Sequence, residues 1–403
     1  MLGSAVLIAS FALGIHNATL YNPRHGFDGK DHLFYIKYIF NYHKMPPITM
    51  MGETHQSPVY YIIGAILKSI IGTWKAAQYI NIFVLWMIIG MVGLGLRKVF
   101  KKIDQVLIGM FSLTALPMLN IFPAMLTNEL LSTFWIISVI VCSIFLIYSK
   151  EKKEIIFYSI WFTFNFILGY WTKISIAITL PVVLTAYFFN FMKNKKLRKT
   201  IFISIFLSFL LIALGCSPIF FRARQHYSAS DITGLFTSRV IIKEDHLFFY
   251  RLDWIPKIDM YNTQYYSLLG AAWNSFWTDG HNAITPFIKF HKKSFILWSL
   301  GFIILPLSFY GLIVLIKRSI KIGIIMSLVT IIMLGTYVFV NLNSHYSAAR
   351  LTYEMGIVVP YTFGLASVSQ NKKIKYILLL LLSIQFIIMV SFFWIQPWWH
   401  VTK

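Results

Sequence analysis

The chain is built of apolar runs of helical length separated by short polar breaks. Runs long enough to cross a hydrocarbon core as helices of about 20 residues fall at about 2–20, 77–96, 106–125, 128–148, 155–171, 172–192, 201–221, 294–316, 322–343, 351–368 and 376–397. This pattern predicts an all-α polytopic membrane protein with about 11 transmembrane helices. One further apolar segment, Pro58 to Gly72 (PVYYIIGAILKSIIG), is shorter and contains Lys68. Its length suits a juxtamembrane helix lying along the membrane surface.

The breaks carry the charge. Five compact basic clusters hold half of the 36 Lys and Arg. They are Arg97, Lys98, Lys101 and Lys102; Lys150, Lys152 and Lys153; Lys193, Lys195, Lys196, Arg198 and Lys199; Lys317, Arg318 and Lys321; and Lys372, Lys373 and Lys375. Each follows an even-numbered span, so all five share one face, which the positive-inside rule makes cytoplasmic. A membrane crossing at Pro58–Gly72 would move every cluster outside, so the same rule supports a surface position for that segment. Two large outer loops follow, at about 21–76 and 222–293, while the inner loops are short. The chain then divides into a membrane core with its first outer loop (1–221, loop 21–76), a large outer loop (222–293) and C-terminal transmembrane helices (294–403). The expected location is the cell membrane, multi-pass, with the chemistry on the outer face.

Composition agrees. The 403 residues are 58% hydrophobic and 12% charged, against about 25% charged in soluble domains. That excludes a soluble enzyme, a disordered chain and a disulfide scaffold. A net charge of +22 would ordinarily suggest nucleic acid, but half of the basic residues are membrane anchors, so no nucleic-acid partner is expected. Cys142 and Cys216 lie inside apolar runs and read as small buried hydrophobes. Residues 2–20 lack a basic start and a clear small-x-small cleavage site and read as a retained first span, with a cleaved signal peptide as the alternative. P-loop, Rossmann, HExxH and GxSxG patterns are absent, so ATP-driven transport by this chain alone is not expected.

Five polar elements, far apart in sequence, converge on the outer face. The first loop is dense in polar groups: Arg24, His25, Asp28, Lys30, Asp31 and His32. Asp28 and Asp31 share a helix face if the helix has begun. Asp28 also suits an N-cap, where its carboxylate would satisfy free N–H groups. The DxxDH types would suit a divalent metal ion, but no second ligand cluster accompanies them. The second element is His55-Gln56-Ser57-Pro58-Val59-Tyr60-Tyr61, where Pro58 fits a first helical turn and the tyrosines suit an interfacial belt. The third is Thr127-Asn128-Glu129, a carboxylate at a membrane boundary. The fourth is the hairpin Gly169-Tyr170-Trp171-Thr172-Lys173-Ile174-Ser175, in which Lys173 can snorkel. The fifth, Ser344 to Tyr353, carries Arg350 on the face where positive charge is disfavoured.

In this order the elements resemble the polyprenol-phosphate-dependent membrane glycosyltransferases of the GT-C fold, which include protein O-mannosyltransferases and the lipid A aminoarabinose transferase. Asp28 to His32 followed by Leu33-Phe34 resembles the family's first-loop acid, His and aromatic; HQSPVYY its Pro-Pro-Leu-Tyr-Tyr-like element; Leu126-Thr127-Asn128-Glu129 its second acidic site. WTKISIAITLP is similar to its Thr-Lys element, the most specific match, and Ala349-Arg350 keeps part of a late Ala-Arg-Tyr motif. The resemblance covers roughly residues 1–190 well and the rest loosely. It departs in two places: Gln56 stands where aminoarabinose-transferase relatives have Lys, and Gly29 stands where an Asp-Glu pair would place Glu.

The resemblance implies a GT-C-like fold and sugar transfer from a polyprenyl-phosphate-linked donor to a glycan, lipid or protein acceptor. It implies Asp28 as the base with Asp31 second, and Glu129 in support. Donor phosphate would be held by Arg24, Lys30, Gln56, Lys173 or Arg350, and His32, Tyr60 and Tyr61 would line the substrate pocket. One-step attack would invert the anomeric centre. The loop 222–293 carries Tyr265, Tyr266, Trp273 and Trp277, which suit sugar stacking or the interface alike. Two other classes compete: a glycan polymerase or ligase using a lipid diphosphate donor, and a lipid or sugar transporter.

Overall fold

The computed structural model describes residues 2–26, 28–225, 267–278, 292–343 and 351–395. All regular elements among them are helical. They are α1 (Leu2–Leu20), α2 (Gly29–Tyr42), α3 (Val59–Ile71), α4 (Ala76–Val99), α5 (Ile103–Thr114), α6 (Pro117–Asn120), α7 (Glu129–Tyr148) and α8 (Lys152–Tyr170). After these come α9 (Leu180–Lys193), α10 (Arg198–Arg224), α11 (Leu268–Trp277), α12 (Lys292–Arg318), α13 (Ile320–Asn343), α14 (Val358–Val368) and α15 (Lys372–Phe393).

The expected count of eleven spans is not confirmed. Among the described residues, seven helices are long and apolar enough to cross a membrane, or eight if the bent pair α5 and α6 makes one span. The other expected spans are helical but fall short for identifiable reasons. The apolar part of α1 is short, α8 spends its first turn on Lys152, Lys153 and Glu154, and the last is divided between a 3-10 turn, Leu351–Ile357, and the 11-residue α14.

Helix α7 is the hub, with α4, α8 and α9 packed around it, and its apolar residues are buried on nearly all sides. At the other extreme, α10 turns Phe202, Phe206, Leu210 and Leu214 outward, as a lipid-facing helix does. Where α12 crosses α14, Gly311 meets the backbone of Gly364, and any Cβ on either would collide with main-chain oxygen. Small residues let the two backbones approach this closely.

Irregular backbone inside such a bundle must find protein partners, because lipid offers none. The 58° bend between α5 and α6 is stitched by Asn120, whose amide donates to the carbonyls of Thr114 and Leu116, both at 2.9 Å. Ser10 of α1 donates to the same amide's oxygen at 3.2 Å. On α4, Gln78 donates to Ala124 O at 2.6 Å, and Asn81 donates to Met125 O at 2.9 Å and Thr127 O at 3.1 Å. These buried amides fix the stretch that leads into Glu129. Asn17 of α1 clasps the end of α15, donating to Phe393 O at 2.7 Å and accepting from Ile395 N at 3.1 Å.

The basic clusters gather at one end of the bundle. Lys98 lies over the rings of Phe145 and Tyr148, next to the second cluster. Asn194 donates to Ser149 O, Lys321 lies over Phe189, and Lys375 pairs with Asp104 at 3.0 Å. The opposite end carries α2 and α3. Both ends of α3 are tied there: Val59 N donates to Trp171 O at 2.9 Å, and Lys75, just beyond the helix, donates to Thr19 O. Thus α3 lies across the bundle end as a juxtamembrane helix, with Ile62, Ile66 and Ile70 exposed along one side.

Candidate functional site

The site forms where four connections meet at that end: the segment from α1 through α2 to α3, the entry to α7, the α8–α9 hairpin and the end of α10. Helix α2 starts at Asp28. Its backbone carbonyl accepts the N–H groups of Asp31 (2.9 Å) and His32 (3.0 Å), but its side chain makes no cap hydrogen bond. The capping reading therefore does not hold, and the carboxylate stays exposed. Asp28 has φ 51°, in the left-handed region that Asp and Asn tolerate better than other side chains. Gly29 is buried, and a Cβ there would lie 3.1 Å from the Pro23 carbonyl oxygen. A second acid at position 29 would have its Cβ pressed tightly against the main chain of Pro23 and Arg24.

His32 is buried and shares a 2.9 Å hydrogen bond between its Nδ1 and the Tyr61 hydroxyl. Tyr61 stacks on Tyr35 with ring centroids 3.9 Å apart. Tyr60 accepts from Thr127 N at 3.2 Å and donates to Ala77 O at 3.3 Å. Neither tyrosine sits in an interfacial belt, since both are wholly buried. They form a floor that joins α2, α3, α4 and the entry to α7.

Burial, with help from the charges of Lys173 and His55, lowers the His32 pKa from its ordinary 6.5 to about 3. His32 is thus neutral in the fold. The free chain binds more protons between those values, so its contribution to stability is complete above about pH 6.5 and is lost as pH falls toward 3. Melting temperature in detergent should decline across that window, and His32→Gln should flatten the decline.

Glu129 opens α7 and meets Lys173 from the hairpin, Nζ to Oε1 at 2.5 Å, both side chains largely buried at 12% and 16% exposure. The hairpin is held from several sides. Trp135 Nε1 donates to Thr172 Oγ1 at 3.0 Å, and Trp171 Nε1 donates to Gly215 O of α10 at 2.7 Å. Asn128 reaches both the Gln56 side chain and Thr172 O, each at 3.4 Å.

Two residues absent from the expected site set complete it. Arg222, at the end of α10, donates to three main-chain carbonyls of the first loop: Pro46 (2.9 Å), Thr54 (2.9 Å) and Gln56 (3.3 Å). Arg222→Ala is expected to cost about 2 kcal/mol or more, since three hydrogen bonds from a charged donor are lost. Faster hydrogen exchange across 46–56 would register it, and unchanged exchange there would contradict the assignment.

The other residue is Glu53, in the short 3-10 turn Gly52–His55. It is half-buried, hydrogen-bonds Gln56, and feels the charges of Asp28, Lys173 and Glu129. Burial first, then Asp28, raises its pKa to about 7. His55 beside it donates from Nδ1 to Gly52 O (2.6 Å), and burial lowers its pKa. Asp31 packs against Gly52, where any Cβ would collide with its carboxylate, and burial raises its pKa.

The structure thus brings Asp28, Asp31, His32, Gln56, Tyr60, Tyr61, Glu129 and Lys173 to one place. Arg24 and Lys30 are exposed, and the charge of Lys30 acts on Asp31. Arg350, Tyr265 and Tyr266 lie outside the described residues. Trp277 is fully buried and presents no face to a sugar, while the partly buried Trp273 packs against Phe302 at 4.4 Å between centroids. Among the described residues no three His, Cys, Asp or Glu side chains assemble as a metal-binding group.

The chain has a GT-C-like fold, by its likeness to solved structures. Crystal structures of ArnT from Cupriavidus metallidurans align in the apo state and bound to undecaprenyl phosphate. Their TM-scores are 0.56 and 0.58, their sequence identities 13% and 11%, and each alignment covers 92% of this chain. The chain spans 59% and 60% of the length of those two proteins. The Archaeoglobus fulgidus oligosaccharyltransferase, in complex with Zn and sulfate, aligns at a TM-score of 0.47 and 15% identity, over 97% of this chain and 53% of its own. No protein-family profile and no curated protein matches the sequence.

Proposed function

We propose that this protein transfers a sugar from a polyprenyl-phosphate-linked donor to an acceptor hydroxyl on the outer face of the cell membrane. The observation that carries the reading is the meeting of Asp28, Glu53, Glu129 and Lys173 at one end of a GT-C bundle. The undecaprenyl phosphate bound to ArnT supports a lipid-linked donor.

A polyprenyl phosphate is a good leaving group, so the site needs cations and donors for the phosphate more than a strong acid. Lys173, held in place by Glu129, is the central cation, with Arg24, Lys30, Gln56 and Arg350 as further phosphate contacts. Asp28 is the base: its exposed carboxylate takes the acceptor's proton as the oxygen attacks the anomeric carbon. Asp31 is second to it. His32, Tyr60 and Tyr61 give the pocket a rigid wall. A single displacement inverts the anomeric centre. The acceptor is a glycan, lipid or protein.

Membranes containing the protein, given radiolabelled monophosphate-linked and diphosphate-linked polyprenyl sugars in parallel, test this. Transfer from the monophosphate donor, with the new linkage inverted, is expected. Transfer from the diphosphate donor alone would favour a polymerase or ligase.

A further inference from the structure

The half-buried guanidinium of Arg222 spends its donors on one short stretch of main chain. Nη2 reaches Pro46 O and Thr54 O, both at 2.9 Å, and Nη1 reaches Gln56 O at 3.3 Å. That stretch is already a compact body. Thr54 is wholly buried, its Oγ1 lies 2.6 Å from the carbonyl oxygens of both Ile48 and Met51, and it accepts from Met51 N at 3.1 Å. Arg222 therefore does not build the loop; it sets where the loop stands.

Gln56 is where the loop meets the rest of the site. Its carbonyl accepts from Arg222 and from the Tyr35 hydroxyl, the latter at 3.3 Å, and Tyr35 is stacked on Tyr61. Its side-chain oxygen accepts from Asn128 Nδ2 at 3.4 Å, and that same amide reaches Thr172 O at 3.4 Å. Asn128 and Thr172 are buried, and each directly precedes one member of the Glu129–Lys173 pair. One line of hydrogen bonds thus runs from the end of α10, through Gln56, to both segments that present the ion pair.

We propose that Arg222 is a positioning residue for the donor phosphate: by clamping the main chain at Pro46, Thr54 and Gln56 it holds Gln56 against Asn128 and keeps the first loop in register with the turn that carries Lys173. The inference rests on the transferase reading above, in which Gln56 and Lys173 both meet the phosphate. Two contacts on one phosphate must keep a fixed separation, and a misplacement of about 1 Å can cost about 100-fold. Arginine suits the clamp because its planar fork offers donors in fixed directions, whereas lysine offers one flexible ammonium. These donors go to neutral carbonyls of the same chain, so Arg222 acts on the lipid through Gln56 and not by contact.

The test is donor KM and kcat for the full-length protein in proteoliposomes with a polyprenyl phosphate labelled in the sugar, each variant assayed below its melting temperature. Arg222→Ala should raise donor KM about 10-fold and leave kcat within about threefold. A merely structural loss of active protein would instead lower kcat at unchanged KM. Arg222→Lys keeps the charge but cannot span three carbonyls, and should raise donor KM at least about fivefold. Gln56→Ala should raise it about 10-fold. The double variant Arg222→Ala/Gln56→Ala should go no more than about twofold beyond the larger single change, because both remove one linkage. If Arg222→Ala does not insert, Arg222→Lys and its combination with Gln56→Ala carry the comparison. Wild-type donor KM in Arg222→Ala, in Arg222→Lys or in Gln56→Ala, or single effects that multiply in the double variant, overturns the positioning role while the transferase reading stands. No transfer by wild type itself overturns both.

Discussion

Asp28→Asn should abolish sugar transfer while leaving the protein in the membrane at normal amount. The substitution isolates charge from backbone. Asp28 holds φ 51°, and Asn adopts that region as readily as Asp, so the start of α2 survives. The side chain makes no cap bond that the change would break. What disappears is the exposed carboxylate, and loss of a general base costs about 10²- to 10⁴-fold in rate. Asp28→Ala would mix this loss with backbone strain and is the poorer probe. Normal turnover in Asp28→Asn, measured against protein amount in the same membranes, would remove Asp28 from the chemistry.

The second large effect concerns Lys173. Its pair with Glu129 is largely buried, so Lys173→Met leaves a carboxylate without its partner and should cost about 3 kcal/mol of stability. The double variant Lys173→Met/Glu129→Gln removes both charges and should recover most of the lost melting temperature. It should not recover transfer. A cation on a phosphate makes charge-assisted bonds of about 1.5–3 kcal/mol, so donor KM should rise about 10- to 100-fold in the double variant. Restored stability together with wild-type donor KM would make the pair purely architectural.

Much of the architecture could be read from the chain because it rests on local physics. Apolar runs mark the helices, and the five basic clusters, lying at every second connection, marked the end that the structure indeed gathers them on. Lys68 and the short run around it marked α3 as a surface helix. Segment length was the weak point: periodicity does not show that the span after Ile103 bends by 58° at Pro117, nor that the stretch before α14 is a 3-10 turn.

At the site, Glu129 and Lys173 each stood out, but a bond between residues 44 apart is a product of packing. Asp28 looked like a cap because its neighbours have helical pattern, and only the αL backbone shows that its carboxylate is left over. Glu53 was hidden because Gly-Glu-Thr-His resembles any polar loop. The signal was its scarcity: one of only 14 acids, placed just ahead of the Pro58 element. Arg222 gave no signal of its role, since its partners are main-chain carbonyls that no motif encodes.

The central claim, that this bundle transfers rather than transports, is tested most directly in sealed proteoliposomes holding purified protein, a polyprenyl-phosphate donor labelled in the sugar, and an acceptor fraction on the side of the α2 end. The account predicts that label leaves the lipid and appears in acceptor, with lipid monophosphate released in equal amount, and that Asp28→Asn liposomes do neither. Labelled lipid that crosses the bilayer intact, with no acceptor product, would contradict it.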